Sequence, residues 1–447
     1  MLKLFKEIIN TPAFIRSIRV HMNRKIQHKN MKKIILITFI TLLFSSIIGC
    51  EDNQYVTYTL ATPVIMPLDE FRNSVVITSP KEIVESGKIY VYQDYIFVND
   101  KYKGIHVIDN SNPVTPVKMA FISIFGNVDI SVKGNYLYAD SLMDLVVFDI
   151  SDIGNITEVG RLIDVFTEHH MISIPVDADY YDFENYDAEG IIVDWELTVE
   201  QIRYGEELPY NLVWWGTDIG FADAMSEGVP TTGQGGSLAR FKIVEDYLYA
   251  VDSQRIHMFN IQNLADPITQ GNIHAGFGIE TIFNRGDYLF LGSRSGMYIY
   301  DISQANSPAY VSEFNHATAC DPVVVEGNYA YITLRGGNSC GVPESVLEIV
   351  DISDIHHPEL LKSYLMDNPY GLGIKDDLLF ICDGTSGLKV FDKSDINNLQ
   401  LIDTYEEMNA FDVIPLESHL VMIADNRIYQ FNYLNETIEL LSDFSLN

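Results

Sequence analysis

Beyond residue 85 the apolar residues of this chain gather in short runs, and one run keeps returning with Asp or Asn at its end. The copies are Ile105-His106-Val107-Ile108-Asp109, Leu145-Val146-Val147-Phe148-Asp149, Ile256-His257-Met258-Phe259-Asn260 and Met297-Tyr298-Ile299-Tyr300-Asp301, then Leu347-Glu348-Ile349-Val350-Asp351, Leu388-Lys389-Val390-Phe391-Asp392 and Ile428-Tyr429-Gln430-Phe431-Asn432. The terminal Asp/Asn positions are separated by 40, 111, 41, 50, 41 and 40 residues, so two insertions interrupt an otherwise regular period. An aromatic or aliphatic strand precedes each run, as in Tyr95-Ile96-Phe97-Val98 or Tyr288-Leu289-Phe290, and one more strand precedes that, as in Val323-Val324-Val325. A unit of about 40 residues with four strands has the period of a β-propeller blade, and stacking such units buries both faces of the inner strands, which accounts for continuous apolar runs in place of alternation. The pattern predicts an all-β, seven-bladed β-propeller with four-stranded antiparallel blades over residues 85–447, with an insertion of about 70 residues, 165–238, between blades 2 and 3.

The loop after each run has its own chemistry. Three residues past the anchor stands Asn112, Asp152, Asn263, Gln304, Asp354, Asp395 or Asn435, and four units carry Pro116, Pro267, Pro308 or Pro358 seven residues past it. Short polar side chains bond nearby backbone N–H groups and fix turns, so the repeated Asp anchors read as turn formers, not as catalytic carboxylates. The strand-plus-Asp block with the following Ile-Ser of Asp149-Ile150-Ser151, Asp301-Ile302-Ser303 and Asp351-Ile352-Ser353 resembles the LVIVD repeat of propeller lipoproteins of the Bacteroidetes type. The resemblance implies the fold and no reaction. Units one, three and seven depart from it, with Asn110-Ser111, Ile261-Gln262 and Tyr433-Leu434.

At the other end of the chain, Met31-Lys32-Lys33 leads an apolar run to Ile48, shorter than the roughly 20 residues that span a bilayer and matched to a secretory signal over residues 31–49. Ile47-Ile48-Gly49-Cys50 resembles the lipobox of bacterial lipoproteins, which makes Cys50 the lipidated mature N-terminus. Residues 1–30 read as an upstream start artefact or an extended charged region, and 50–84, with Pro63, Pro67 and Pro80, as a tether. Glu51-Asp52-Asn53 resembles an acidic surface-export tag. These features place the protein at the outer membrane as a lipoprotein, facing the periplasm or exposed at the cell surface.

Charge narrows the partners. Lys plus Arg number 29 against 62 Asp plus Glu, a net −33, so nucleic acid is excluded as a partner by repulsion of its phosphates. Removing residues 1–49 takes away nine basic residues and one Glu, leaving 20 − 61 = −41. The insertion mixes Asp177, Asp179, Asp182, Glu184, Asp187 and Glu189 with Tyr180, Tyr181, Phe183 and Tyr186 and holds Trp195, Trp214 and Trp215, a composition that suits a solvated cap or a ligand lid. His169 and His170 read as surface histidines, and Gly233-Gln234-Gly235-Gly236, with no helix after it, as a hinge. Cys320 and Cys340 flank one end of the fifth unit and form the expected disulfide of an exported chain, while Cys382, beside Phe380 and Ile381, is a core residue.

No serine elbow, zinc-binding helix or phosphate loop is present in the sequence. Counting back from the aromatic strands places Asp129, Arg240, Glu280, Asp321 and Asp412 at equivalent starts of the inner strands, where a propeller turns its side chains toward the central axis. Four carboxylates around one Arg suggest a bound divalent cation such as calcium, or a basic ligand, with an internal ion network as the plainer alternative. No cofactor is assured by the sequence, and a divalent cation such as calcium is the one it suggests. The reading that follows is a lipid-anchored binding or scaffolding module for a protein or glycan; the alternative is a metal-dependent hydrolase or lyase at the channel mouth.

Overall fold

The structure is a computed structural model that describes residues 55–166, 175, 177–183, 190–204, 212–213, 234–315, 322–336, 344–435 and 437–447. Among the described residues it is all-β apart from the short helix Leu68–Arg72 and one 3-10 turn at Ile153–Asn155. Each repeated unit folds as four antiparallel strands in simple succession. The first sheet holds Ser86–Tyr92, Tyr95–Asp100, Gly104–Asp109 and Val117–Ser123; the second Ile130–Lys133, Tyr136–Ser141, Asp144–Asp149 and Thr157–Leu162; the third Phe241–Val244, Tyr247–Val251, Arg255–Asn260 and Ile268–His274. The fourth holds Phe283–Arg285, Tyr288–Ser293, Gly296–Asp301 and Ala309–Asn315, and the fifth Val323–Glu326, Tyr329–Leu334, Ser345–Asp351 and Glu359–Met366. The sixth holds Leu372–Lys375, Leu378–Cys382, Leu388–Asp392 and Gln400–Tyr405, and the seventh Ala410–Pro415, His419–Ala424, Arg427–Tyr433 and Ile438–Ser445.

The repeated sequence acts through three local devices. In six units a two-residue turn joins the first two strands, and its first residue has positive φ, supplied by Gly134, Gly286 or Gly327 and elsewhere by Gln93, Glu245 or Asp376. The anchor carboxylate or amide then accepts a hydrogen bond from the amide two residues on: Asp109 from Ser111 (2.8 Å), Asp149 from Ser151 (2.8 Å), Asn260 from Gln262 (3.0 Å) and Asp301 from Ser303 (2.7 Å). Asp351 and Asp392 repeat it with Ser353 and Ser394, both at 2.8 Å. The turn-forming role expected of these residues is therefore what they perform, and the serine hydrogen bonds hold the Asp301 and Asp351 carboxyls below the usual carboxylate range. Finally, all seven sheets carry a register shift between third and fourth strands, which bends and twists the outer edge.

Phe97, Tyr138, Tyr249, Phe290, Tyr331, Phe380 and Met422, one from the second strand of each sheet, are all buried. Tyr138 and Tyr249 add an oriented contact, each hydroxyl donating at 2.8 Å to a carbonyl in the next sheet's outer loop, Leu264 and Ala305 respectively. The first strands touch in order from sheet to sheet, and the first strand of the seventh sheet lies against that of the first. At that seam Asn110 Nδ2 donates to Gln430 Oε1 (2.9 Å) and Gln430 Nε2 returns a bond to Asn110 Oδ1 (2.8 Å) while also reaching the Pro113 carbonyl (2.9 Å).

Two sequence expectations change here. The stretch read as a tether is folded from Tyr55: Phe71, 1% exposed, packs with Leu142, Met143, Ile191, Ile192 and Val193, Arg72 pairs with Asp144 (2.9 Å) and Asp164 (2.7 Å), and Val76–Thr78 joins the outer edge of the first sheet. Burial of one aromatic ring and pairing of one Arg outweigh the prolines that suggested a spacer. The stretch read as a hinge is a strand, because Gln234–Gly235 pairs with Val91 and Tyr90 on the inner edge of the first sheet. An eighth sheet draws on the region read as the insertion, with Tyr180 and Tyr181 beside Leu60 and Ala61, and Val213 beside Tyr181. The described residues 55–58 and 200–204 belong to a separate small unit, in which the Tyr58 hydroxyl donates to Glu200 (3.0 Å).

Replacing Gln430 with Leu leaves the buried Asn110 amide without its partner, while the Pro113 carbonyl keeps its bond from Ser442 Oγ (2.6 Å), so Gln430→Leu is expected to cost about 1–3 kcal/mol. Urea unfolding measures this against Tyr138→Phe, which removes one hydrogen bond worth about 1 kcal/mol.

Candidate functional site

The inner ends of the first strands are charged, yet the charges are buried: Asp129 is 4% exposed, Arg240 6%, Glu280 3% and Asp412 0%. Asp321 lies outside the described residues, as do Cys50, Cys320, Cys340, His169 and His170. The same backward count in the first unit reaches Lys88, which the sequence reading passed over, and in the sixth reaches Gly371.

Asp129 is held by donors from three sheets. Its Oδ2 accepts from Lys88 Nζ (3.4 Å), from the Phe241 amide (3.0 Å) and from the Arg240 amide, and its Oδ1 accepts from the Ile130 amide (2.7 Å). It is thus the backbone of Arg240 that bonds this carboxylate. Beside it, Asp140 Oδ1 accepts from Asn127 Nδ2 (2.8 Å) and from the amides of Val128 and Asp129 (both 2.9 Å). Burial nevertheless pushes Asp140 up to about 6, with its amide bonds and the Arg240 charge pulling it back and the Asp129 charge adding to the rise. Burial also draws Lys242 down to about 7, against the pull of Asp129.

Glu280 belongs to a different cluster, its Oε1 accepting from Arg294 Nε (2.9 Å). Burial raises its carboxyl, while Arg294, Arg335 and Arg240 pull it back. Asp412 is cradled by backbone: a Cβ on Gly236 would stand 1.9 Å from its Oδ2, and one on Gly371 2.4 Å from its Oδ1. Its Oδ1 accepts from the Val413 amide (2.9 Å), and burial pushes it up to about 8 although Lys88 and the Ser237 amide favour the charged form. The segment that carries Gly236 crosses this centre, bonding the Pro415 carbonyl through Gln234 Nε2 (3.1 Å) and receiving the Leu372 amide on Ser237 Oγ (2.7 Å).

The four described candidates are thus divided. Asp129 and Asp412 share the surroundings of Lys88, Glu280 sits among arginines, and Arg240 acts on both Glu280 and Asp140 through its charge. Among the described residues no group of three or more His, Cys, Asp or Glu side chains is placed to hold a metal ion. N–H donors aimed at Asp129 occupy the lone pairs a cation would use.

A second set of buried carboxylates escaped the sequence reading. Asp252 faces His257 Nε2 (2.7 Å), Asp100 faces His106 Nε2 (3.4 Å), and Asp383 pairs with Lys389. His106, His257 and Lys389 all stand three residues before their anchors, and Asp100, Asp252 and Asp383 eight or nine before, a periodicity that alignment of the units reveals. Each carboxylate also receives amides from nearby loops, such as Val84 and Glu85 on Asp100. In the insertion Asp179 accepts from the Thr59 amide (2.7 Å), and Trp195 meets Tyr181 and Phe183 edge-on, ring centroids 5.8 Å apart in both pairs.

Residues 85–121, 127–164 and 318–366 match the family model of the LVIVD repeat. The chain carries LVIVD repeats in these three stretches. A comparison with curated proteins gives no match. Among solved structures, the periplasmic gluconolactonase PpgL of Pseudomonas aeruginosa aligns at 8% identity and TM-score 0.49, covering 81% of this chain and 96% of that one. The computationally designed protein Ika8 aligns at 11% identity and TM-score 0.47, over 82% and 89% of the two chains. PorZ, a bacterial surface component of the type-IX secretion system of Porphyromonas gingivalis, aligns at 11% identity and TM-score 0.45, over 82% of this chain and 39% of its own. Among the described residues, no helix is long and apolar enough to cross a membrane.

Two outcomes are expected of this centre. Gly236→Ala drives a methyl group into a carboxylate that Gly371 blocks from the other side, costing about 1–3 kcal/mol in thermal or urea unfolding, and Asp412→Ala in the same chain relieves much of it. Asp412 keeps its proton up to about pH 8 when folded, whereas an unfolded Asp loses it near about pH 4. Between those values the folded state binds more protons, so this group lowers stability as pH rises. Asp412→Asn should therefore gain stability relative to wild type from pH 5 to pH 8, read from urea midpoints; an unchanged difference contradicts the assignment.

Proposed function

We propose that the protein is a lipid-anchored, seven-bladed β-propeller, with residues 165–238 inserted between blades 2 and 3, that serves as a rigid binding or scaffolding module at the outer membrane or cell surface. The observation that carries this reading is the succession of first strands around charges that the chain's own amides and side chains engage. Such a centre holds sheets together, which leaves loops, the inserted region and the rim for contact with a protein or glycan. The lipobox resemblance at Ile47-Ile48-Gly49-Cys50 supports the anchor, and the net charge of −33 supports partners other than nucleic acid.

In-cell crosslinking of the tethered protein, followed by identification of what it captures, tests the module. Capture that persists in chelator is expected; activity that co-purifies with a metal and is lost on chelation favours a metal-dependent hydrolase or lyase instead. The anchor is tested by Cys50→Ser, which should move the protein out of the membrane fraction. Retention there contradicts the lipid anchor.

A further inference from the structure

Arg335 is a cation whose charge acts on Glu280 but whose buried Nε has no hydrogen-bond partner among the described residues. It directly follows Tyr329–Leu334, as Arg294 directly follows Tyr288–Ser293, so the two hold the same hairpin position in adjacent sheets. In an antiparallel sheet that hairpin emerges at the same end as the loop entering the first strand, and the loop of the fourth sheet carries Glu280. Arg294 Nε bonds Glu280 Oε1 at 2.9 Å, but Glu280 Oε2, on a side chain 3% exposed, has no hydrogen-bond partner among the described residues. Arg335 Nε is likewise buried without a partner among the described residues. Its guanidinium carbon lies 4.3 Å from the centroid of the Tyr370 ring, and Thr333 Oγ1 donates to the Tyr370 carbonyl (2.8 Å), so the platform beneath the guanidinium is fixed.

A buried carboxylate oxygen and a buried guanidinium N–H, both unbonded, are costly unless something joins them. The joining group must accept from Arg335 and donate to Glu280. A planar guanidinium held on an aromatic face is shaped for a carboxylate, and a hydroxyl on the same molecule supplies the donor. Arg294 neutralises Glu280, which removes the repulsion an anion would otherwise meet. In a chain with 62 acidic and 29 basic residues, the action of Arg240, Arg294 and Arg335 on this one carboxyl marks a local reversal of charge.

The geometry points to a binding site for a small hydroxylated organic carboxylate, its carboxylate on Arg335 and its hydroxyl on Glu280 Oε2, with Tyr370 as the platform. This ligand class rests on the reading of the protein as a binding module.

Ligand-observed NMR titration of the full chain with glycolate, and with acetate as the analogue lacking the hydroxyl, tests the site. Glycolate is expected to bind about tenfold more tightly than acetate, because only it satisfies Glu280. Arg335→Gln should weaken glycolate at least about tenfold, and Arg335→Lys, which keeps the charge without the fork, should fall between. Arg335 is partly exposed, and an unchanged thermal midpoint verifies that the variants fold. No glycolate binding to wild type, or equal binding to Arg335→Gln, overturns the site and leaves water as the bridge. Lost titration with partners still captured in cells defeats this site alone, while failed capture with titration intact defeats the module.

Discussion

Each four-stranded sheet of this protein is apolar on both faces, and that single constraint organises the rest. A sheet with two hydrophobic faces needs a neighbour on each side, and a linear stack of such sheets always leaves two faces in water. Bringing the last sheet against the first removes both. The cost of bringing distant ends of the chain together grows only slowly with length, so burial of two whole faces readily offsets it. The seam is then made specific by Asn110 and Gln430, whose reciprocal amide bonds have no counterpart among the described residues of the other junctions, where tyrosine hydroxyls and ion pairs such as Lys133–Asp246 and Lys375–Glu417 serve.

The same convergence creates the electrostatic problem at the centre. First strands that meet at their ends bring Lys88, Asp129, Arg240, Glu280 and Asp412 out of water, and buried charges are tolerated only when donors or counter-ions meet them. Asp129 meets this condition through amides and Lys88. Asp412 meets it less well and retains its proton to about pH 8. Gly236 and Gly371 belong to the same solution, since any side chain on either would occupy the space of the Asp412 carboxylate.

The surroundings of Arg335 differ in kind. Asp129, Asp140, Asp252 and Asp383 each sit at the focus of several donors from their own protein, a pattern that locks architecture. Glu280 and Arg335 share an end of adjacent sheets and leave polar atoms unused. Asp412 also leaves Oδ2 unbonded, but between two glycines that fill the space around it, whereas Arg335 offers an open donor over an aromatic ring at the end that carries Glu280.

Much of this was legible in the chain alone. The all-β class, the four-stranded antiparallel units, the anchors at Asp109, Asp149, Asp301, Asp351 and Asp392, and the buried character of Cys382 follow from local chemistry, because turns and strand periodicity depend on residues a few positions apart. The inward positions were legible too, although the count that found Asp129 and Asp412 equally reaches Lys88. What tertiary structure alone decided is which group meets which. Asn110 and Gln430 are 320 residues apart, Asp129 and the Arg240 amide 111, and Gln234–Gly235 pairs with the first sheet while the adjoining Gly236 faces an Asp412 carboxylate that leaves no room for a side chain. Such pairings are set by closure and by packing volume, quantities that belong to the assembled sheets and to no stretch of sequence.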